Sequence, residues 1–364
     1  MRIMFCLGSL GIGGAERVIT NLANTFVKNN EVAIVVSTPK DEIYKLDKKI
    51  KYEVIDSLTE KNKIRKVFNR VKRTEKIIDE FKPDIIIAFL PEPSIRISML
   101  RKKIKTPVIL SVRDDPKVDY KKWKLFIPMK LFFKNADAFV FQTEEQRQFF
   151  DKDIQKKSII IFNPINSNFI CEPFSGERKK VIVSAGRLMP QKNQKLLIDA
   201  FSFVNKKHPD YELHIYGEGT LRGELQKQID DLNLSNYVFL DGLTSNLKEK
   251  IYDASMFVLS SKHEGLPNAL LEAMALGTPC ITTKFSGGGA EAIIRNNING
   301  LLVENDRKQL CDGINYYIEN KEQAIKCGLE ASKEMKQYTQ EAITEQWYRY
   351  IVDVVGKYKL EHNQ

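Results

Sequence analysis

The chain lacks the pairings that would mark a disulfide framework or a metal knuckle. Its five cysteines (Cys6, Cys171, Cys280, Cys311, Cys327) are scattered, odd in number and form no C-x-x-C, which points to reduced core thiols in a cytoplasmic setting. Histidine is scarce too. His208, His214, His263 and His362 show no H-E-x-x-H and no mixed His/Cys spacing, so no metal centre is expected from them. No apolar run approaches the roughly 20 residues needed to cross a bilayer; the longest, 85–90 and 158–162, are strand-length. Residues 8–16 interrupt the first apolar stretch too early for a signal-peptide core. Internal repeats and low-complexity tracts are also missing. What is present, 364 residues with 43% hydrophobic and 29% charged content, is ordinary for a soluble globular chain with two cores.

Acidic residues run short in one half only. Residues 1–168 carry 33 Lys and Arg against 21 Asp and Glu, a net of +12, while the remainder nets −2. That asymmetry points to an anionic partner for the first half: a membrane surface, a lipid-linked diphosphate or nucleic acid. The plainer alternative is a general lysine-rich bias.

Strand-like runs alternate with helical patterns throughout. The first half offers 2–8, 31–39, 51–57, 84–91, 107–113, 138–143 and 158–163; the second offers 180–186, 211–217, 237–243, 256–261, 279–285 and 300–303. Many are continuous Val/Ile/Leu/Phe runs, as expected for parallel strands covered on both faces by crossover helices. Two doubly wound α/β domains follow, each with a crevice at the C-terminal ends of its strands. Turn signals without hydrophobic period cluster in 163–179 and set the boundary there. A last helix around 341–357 carries Trp347, Tyr348, Ile351 and Val355 at helical spacing.

The stretch His263-Glu264-Gly265-Leu266-Pro267-Asn268-Ala269-Leu270-Leu271-Glu272 leads into another helix. Pro267 suits a first helical position, Gly277 a C′ position, and Pro279 stops any continuation. Glu264 then lies in the loop before the helix and Glu272 about one turn inside. A helix N-terminus is a ready anion site. A carboxylate beside it is electrostatically odd unless it accepts hydrogen bonds from hydroxyls, and a sugar nucleotide supplies both hydroxyls and a diphosphate.

This stretch resembles the E-x7-E signature of the retaining family-four glycosyltransferases. Four further segments stand in family order: Gly11-Ile12-Gly13-Gly14-Ala15-Glu16 near the start, Gly186-Arg187-Leu188 with Lys192-Asn193, Gly217-Glu218-Gly219, and Gly287-Gly288-Gly289-Ala290-Glu291, where the usual proline is replaced. The resemblance implies a GT-B fold, α/β in class: two Rossmann-like domains facing a cleft, 1–165 binding acceptor and 170–340 binding nucleotide sugar, with helix 341–364 returning to the first. It implies Glu264, Arg187 and Lys192 as catalytic, and Gly13, Gly14, Gly217, Gly265, Leu266, Pro267, Asn268 and Glu272 as donor-binding. Arg113 and Glu16 are expected at the acceptor. Arg113 stands in Ser111-Val112-Arg113-Asp114-Asp115-Pro116, similar to a variant of exopolysaccharide and capsule enzymes, where some relatives carry a histidine that contacts the donor sugar. A UDP-sugar donor, no cofactor and no metal are implied.

Other features admit plainer readings. The glycine loop at 11–14 misses G-x-G-x-x-G spacing, and residues 35–39 lack the acidic ribose ligand of dinucleotide folds. Arg187 and Lys192, five residues apart, supply a fork and a point charge for a departing diphosphate. Asp151-Lys152-Asp153 matches an Asp-x-Asp metal motif by letters but reads as a solvated linker, and His263 and His214 read as structural. Two basic, aromatic stretches, 61–73 and 121–134, suit helices lying in a lipid interface, or ordinary helices with a snorkelling rim. The expected activity is transfer of a hexose or N-acetylhexosamine from a UDP-sugar to a saccharide on undecaprenyl diphosphate, by a cytoplasmic protein peripheral on the inner face of the cell membrane. The rival readings are a UDP-sugar 2-epimerase of the same fold and a basic nucleic-acid-binding protein; no RNA- or DNA-binding motif supports the latter.

Overall fold

The computed structural model of the chain describes residues 1–11, 13–39, 44–56 and 62–362, without the side chains of Lys63 and Ile64. Ile12 of the glycine loop, Ser57 at the expected end of the third strand and Lys61 of the first basic stretch lie outside it.

Each of the continuous apolar runs becomes a parallel strand. In the N-terminal half these are β1 (Arg2–Leu7), β2 (Glu31–Val36), β3 (Lys51–Val54), β4 (Ile85–Phe89), β5 (Val108–Ser111), β6 (Ala138–Phe141) and β7 (Ser158–Ile160). They form one sheet in the order β3-β2-β1-β4-β5-β6-β7, parallel at every pairing. In the C-terminal half β8 (Lys179–Ala185), β9 (Glu212–Tyr216), β10 (Val238–Gly242), β11 (Ala254–Leu259), β12 (Cys280–Thr283) and β13 (Leu301–Val303) form a second parallel sheet, ordered β10-β9-β8-β11-β12-β13. The strands are shorter than the runs, because their last residues turn out of the ladder into Gly, Ser and Pro loops.

The central strands are apolar on both faces, as burial between two helical layers requires. Every residue of β4 is fully buried, whereas the edge strand β3 carries a Lys51–Glu53 ion pair on an exposed rim, which discourages edge pairing. In both sheets the strand order reverses once, between β1 and β4 and between β8 and β11. A doubly wound sheet opens its ligand crevice at that switch point, beyond the carboxyl ends of the strands.

The chain divides into two units, residues 1–164 with the final helix from Glu341 onward, and residues 165–340. That final helix, Gln340–Glu361, buries Trp347 completely, with its ring 5.6 Å from Phe89 at the end of β4. Tyr348 tilts against Phe26, and the Tyr350 hydroxyl donates to the carbonyls of Phe139 and Lys157. These contacts make the helix part of the first core.

Both basic stretches of the N-terminal unit become helices that expose apolar side chains. On Trp123–Phe132, Trp123, Phe126, Ile127 and Leu131 are exposed along one face, while Leu125 and Met129 turn toward the core. On Lys63–Phe81, Val67 and Phe68 are exposed, and Val71 packs inward rather than sharing their face. Among the described residues no helix is long and apolar enough to cross a membrane.

Candidate functional site

In the C-terminal unit the switch point brings two loops side by side. β8 and β11 are neighbours in the sheet, so the loop after Ala185 and the loop after Leu259 leave it together. They are laced directly. The Ser260 hydroxyl donates to the carbonyls of Lys192 and Asn193, Lys262 N–H donates to the Gln191 carbonyl, and the Gln191 amide donates to the His263 carbonyl. Across this seam Lys192 Nζ lies 2.5 Å from Glu264 Oε1, and the Ser261 hydroxyl donates to the same oxygen at 2.8 Å. Glu264 is only 8% exposed. A buried carboxylate needs such partners, since an isolated buried charge is costly.

The glycines at this site let backbones touch. At Gly217, φ is +143° and a Cβ would sit 2.1 Å from the Gly186 carbonyl oxygen. No side chain fits that approach. At Gly289 a Cβ would meet the Gly265 carbonyl oxygen at 2.0 Å, so the Gly287-Gly288-Gly289 turn is pressed onto the Glu264 loop. The two loops are also joined by the Glu264 N–H, which donates to the Ser286 carbonyl.

The helix after Glu264 spans Asn268–Ala275. Pro267 is its N-cap, in extended conformation with ψ 112°, rather than its first helical residue; the N–H groups of Leu270 and Leu271 turn back to its carbonyl. Gly277 follows the C-cap with φ +71°, as a C′ glycine does. Glu272 is buried on this helix, Leu266 and Gly265 are buried in the loop, and Asn268 is half-buried. Arg187 differs. Its side chain is exposed and makes no ion pair among the described residues, although its carbonyl accepts from Gln194.

The N-terminal unit holds a second group. Gly13 is the N-cap of the helix Gly14–Phe26, and the Glu16 carboxylate folds back over it, so that a Cβ on Gly13 would collide with Oε2. This placement resembles a capping box, which gives Glu16 a structural task at the position expected to meet acceptor. Gly14 is exposed. Arg113 follows β5 and is 8% exposed. Among the described residues its guanidinium meets only neutral groups: the Ser111 hydroxyl at 3.4 Å, the Asn163 side-chain carbonyl and the face of Phe89. Burial pushes it down to about 9. Asp114 and Asp115 stand next to it in sequence, but their carboxylates accept from the backbone N–H groups of Asp115 and Lys117.

The weaker candidates fall outside both groups. Asp151 pairs with Lys130 and Asp153 with Lys156, both on the exposed surface. Among the described residues no group of three or more His, Cys, Asp or Glu side chains could hold a metal ion. His214 lies between Glu212 and Asp241 with its ring stacked on Phe239 of the edge strand β10, a flanking arrangement on the sheet face. Sequence reasoning missed Gln191, Ser260, Ser261, Thr283 and Asn305, which hold the Glu264 loop. Only Ser260 and Ser261, polar residues closing an apolar strand run, left a trace in the sequence.

Comparison with known proteins agrees with this layout. The family model "Glycosyltransferase Family 4" matches residues 12–169, and "Glycosyl transferases group 1" matches 169–341. An uncharacterised glycosyltransferase of Methanocaldococcus jannaschii is 33% identical over a match covering 63% of this chain and 62% of that protein. A Campylobacter jejuni enzyme that transfers N-acetyl-D-galactosamine in α-1,4 linkage to a saccharide on diphospho-undecaprenol is 26% identical, over 97% of this chain and 99% of that one. Among solved structures, Anabaena HepE with UDP and glucose aligns over 97% of this chain and 100% of its own, at 18% identity and TM-score 0.82. Sucrose-phosphate synthase of Thermosynechococcus elongatus aligns over 98% and 99%, at 16% identity and TM-score 0.84. With both matched regions in tandem and two Rossmann-like sheets in this order, the chain belongs to the family-four glycosyltransferases of the GT-B fold.

Proposed function

We propose that the chain is a retaining, metal-independent glycosyltransferase that moves a hexose or N-acetylhexosamine from a UDP-sugar to a saccharide carried on undecaprenyl diphosphate, in polysaccharide assembly. The observation that carries this reading is the Lys192–Glu264 pair at the switch point of the C-terminal sheet. Lys192, the exposed Arg187 and the N-terminus of the helix Asn268–Ala275 neutralise the departing diphosphate. Glu264 accepts from donor-sugar hydroxyls and steadies positive charge developing on the sugar ring. Glu272 accepts from ribose hydroxyls. The acceptor hydroxyl attacks the anomeric carbon on the face that the diphosphate leaves: the new C–O bond forms as the old one breaks, and the hydroxyl proton passes to the departing phosphate oxygen.

The acceptor class is supported by relatives. Besides the C. jejuni enzyme above, a second N-acetylgalactosaminyltransferase of that organism (27% identity over 92% of each chain) acts on a diphospho-undecaprenol saccharide. UDP is bound in the HepE structures. Arg113 binds an acceptor anion in this reading. The surplus of positive charge in the first half, with the exposed Trp123, Phe126, Ile127 and Leu131 beside lysines, supports reversible docking on an anionic membrane. Each basic residue near such a surface adds roughly 1 kcal/mol.

The test is turnover by the full chain on vesicles of anionic lipid loaded with undecaprenyl-diphosphate-linked saccharides, with UDP-glucose, UDP-galactose and their N-acetylamino forms. Transfer with an α-anomeric product, lost in Glu264→Ala, is expected. Epimerised free donor without transfer would replace this reading with the 2-epimerase. Salt-sensitive binding of nucleic acid without any turnover would replace it with a binding protein.

A further inference from the structure

We infer that Ser261 is a positioning residue for Glu264, acting by making the two oxygens of that carboxylate unequal; this rests on the reading of Glu264 as the donor-sugar contact. Oε1 receives both Lys192 Nζ at 2.5 Å and the Ser261 hydroxyl at 2.8 Å. Within reach of Oε2, among the described residues, is only the Gln191 amide, at 3.5 Å, too far for a good hydrogen bond. Oε1 is therefore the oxygen held by the protein, and Oε2 keeps capacity for a hydroxyl proton.

The hydroxyl is built in. Ser261 is fully buried, its one proton faces an acceptor-only group, and its carbonyl receives the Asn305 amide at 2.7 Å and the Thr283 hydroxyl at 3.2 Å. Asn305 also donates to Thr283 Oγ1 and accepts from Asn193. The Ser261 backbone is thus fixed from β12 and from the loop after β13. A diphosphate draws on the same Lys192 charge that grips Oε1. When it does, the Ser261 hydroxyl is the donor that still keeps Oε1 turned inward and Oε2 toward the sugar.

The experiment is titration calorimetry on the full chain and on S261A, S261T and N305A, using UDP and the four UDP-sugars named above. Ser261 acts on the sugar-binding oxygen and not on the nucleotide. S261A should therefore bind UDP within twofold of the parent and lose about tenfold of the extra affinity for the preferred UDP-sugar, as for one hydrogen bond to a charged group. S261T, which keeps the hydroxyl, should restore most of it. N305A, which loosens the Ser261 carbonyl without touching Glu264, should lose a smaller part. An unchanged advantage of UDP-sugar over UDP in S261A overturns the assignment, and so does equal loss of UDP and UDP-sugar affinity in S261A and N305A, which a merely structural serine would give. A parent chain that binds neither UDP nor any UDP-sugar, or does not discriminate between them, overturns the functional reading itself and this assignment with it.

Discussion

Both groups of candidate residues sit beyond the carboxyl ends of strands in two similar sheets, Lys192 and Glu264 after β8 and β11 at the switch point and Arg113 after β5 one strand away from it, yet they handle charge in opposite ways. In the C-terminal unit the half-buried cation Lys192 has a buried anion, Glu264, with a serine and a glutamine around it. In the N-terminal unit the buried cation Arg113 has a hydroxyl, an amide carbonyl and an aromatic face, and no carboxylate partner among the described residues. The first arrangement is internally neutral and stabilises its own loops. The second leaves a charge whose burial costs several kcal/mol without a compensating ion, and its depressed pKa shows that cost. Similar folds can thus hold one charge for structure and chemistry together and another chiefly for a visitor.

That contrast can be broken in measurable ways. The largest effect is expected in the core beside Arg113, one ring away through Phe89: Trp347→Ala should remove roughly 3–5 kcal/mol from the N-terminal unit alone. Calorimetry should show its transition falling while UDP binding, a property of the C-terminal unit in this reading, survives; simultaneous loss of both would show that the units do not stand apart energetically. Next, Lys192→Ala or Glu264→Gln should each lower kcat by on the order of 100-fold, about 2.7 kcal/mol of transition-state stabilisation, and Lys192→Ala should also lower Tm by leaving Glu264 short of a partner. Near-normal turnover in both would remove the pair from the chemistry. Arg113→Met should do the reverse in stability: acceptor KM rises about tenfold while Tm holds or climbs, because a lone buried charge gives way to an apolar side chain. A clear drop in Tm would make Arg113 a structural residue like Lys192. Glu272→Ala should raise the UDP dissociation constant several-fold, in line with one lost hydrogen bond; an unchanged constant would take the ribose role from it. Smallest of all, EDTA should leave turnover intact, and full loss restored by Mn²⁺ would reopen Asp151 and Asp153.

Much of this was legible in the residues. Runs such as Ile85-Ile86-Ile87-Ala88-Phe89 announce doubly covered parallel strands because nothing else buries five consecutive apolar side chains so cheaply. The segment from Glu264 to Pro279 announces a loop and helix through Pro267 and Gly277, with the helix start misplaced by one residue because proline suits both the cap and the first turn. The support of Glu264 was not legible. Ser261, Thr283 and Asn305 meet through three successive strand ends, and nothing local in the sequence says that their loops converge. Nor does the sequence show that Arg113 lacks an anion, since Asp114 and Asp115 follow it directly and the chain turns them away. The apolar face of Lys63–Phe81 shows the same limit: helical spacing groups Val71 with Val67 and Phe68, and tertiary packing separates them.

The place of the final helix in the first core sets an order on synthesis. Residues 165–340 are contiguous, so that unit has all of its parts as soon as they have emerged from the ribosome. The unit begun first is finished last. Phe26 and Phe89 are made early, yet the Tyr348 and Trp347 rings that cover them belong to the last turns of the chain, and the Tyr350 hydroxyl reaches a carbonyl 211 residues upstream. Until then a sheet end rich in apolar surface stays uncovered. The N-terminal unit is therefore the slow, aggregation-exposed partner during translation, and a chain cut after residue 340 would hold a complete C-terminal unit joined to an open one.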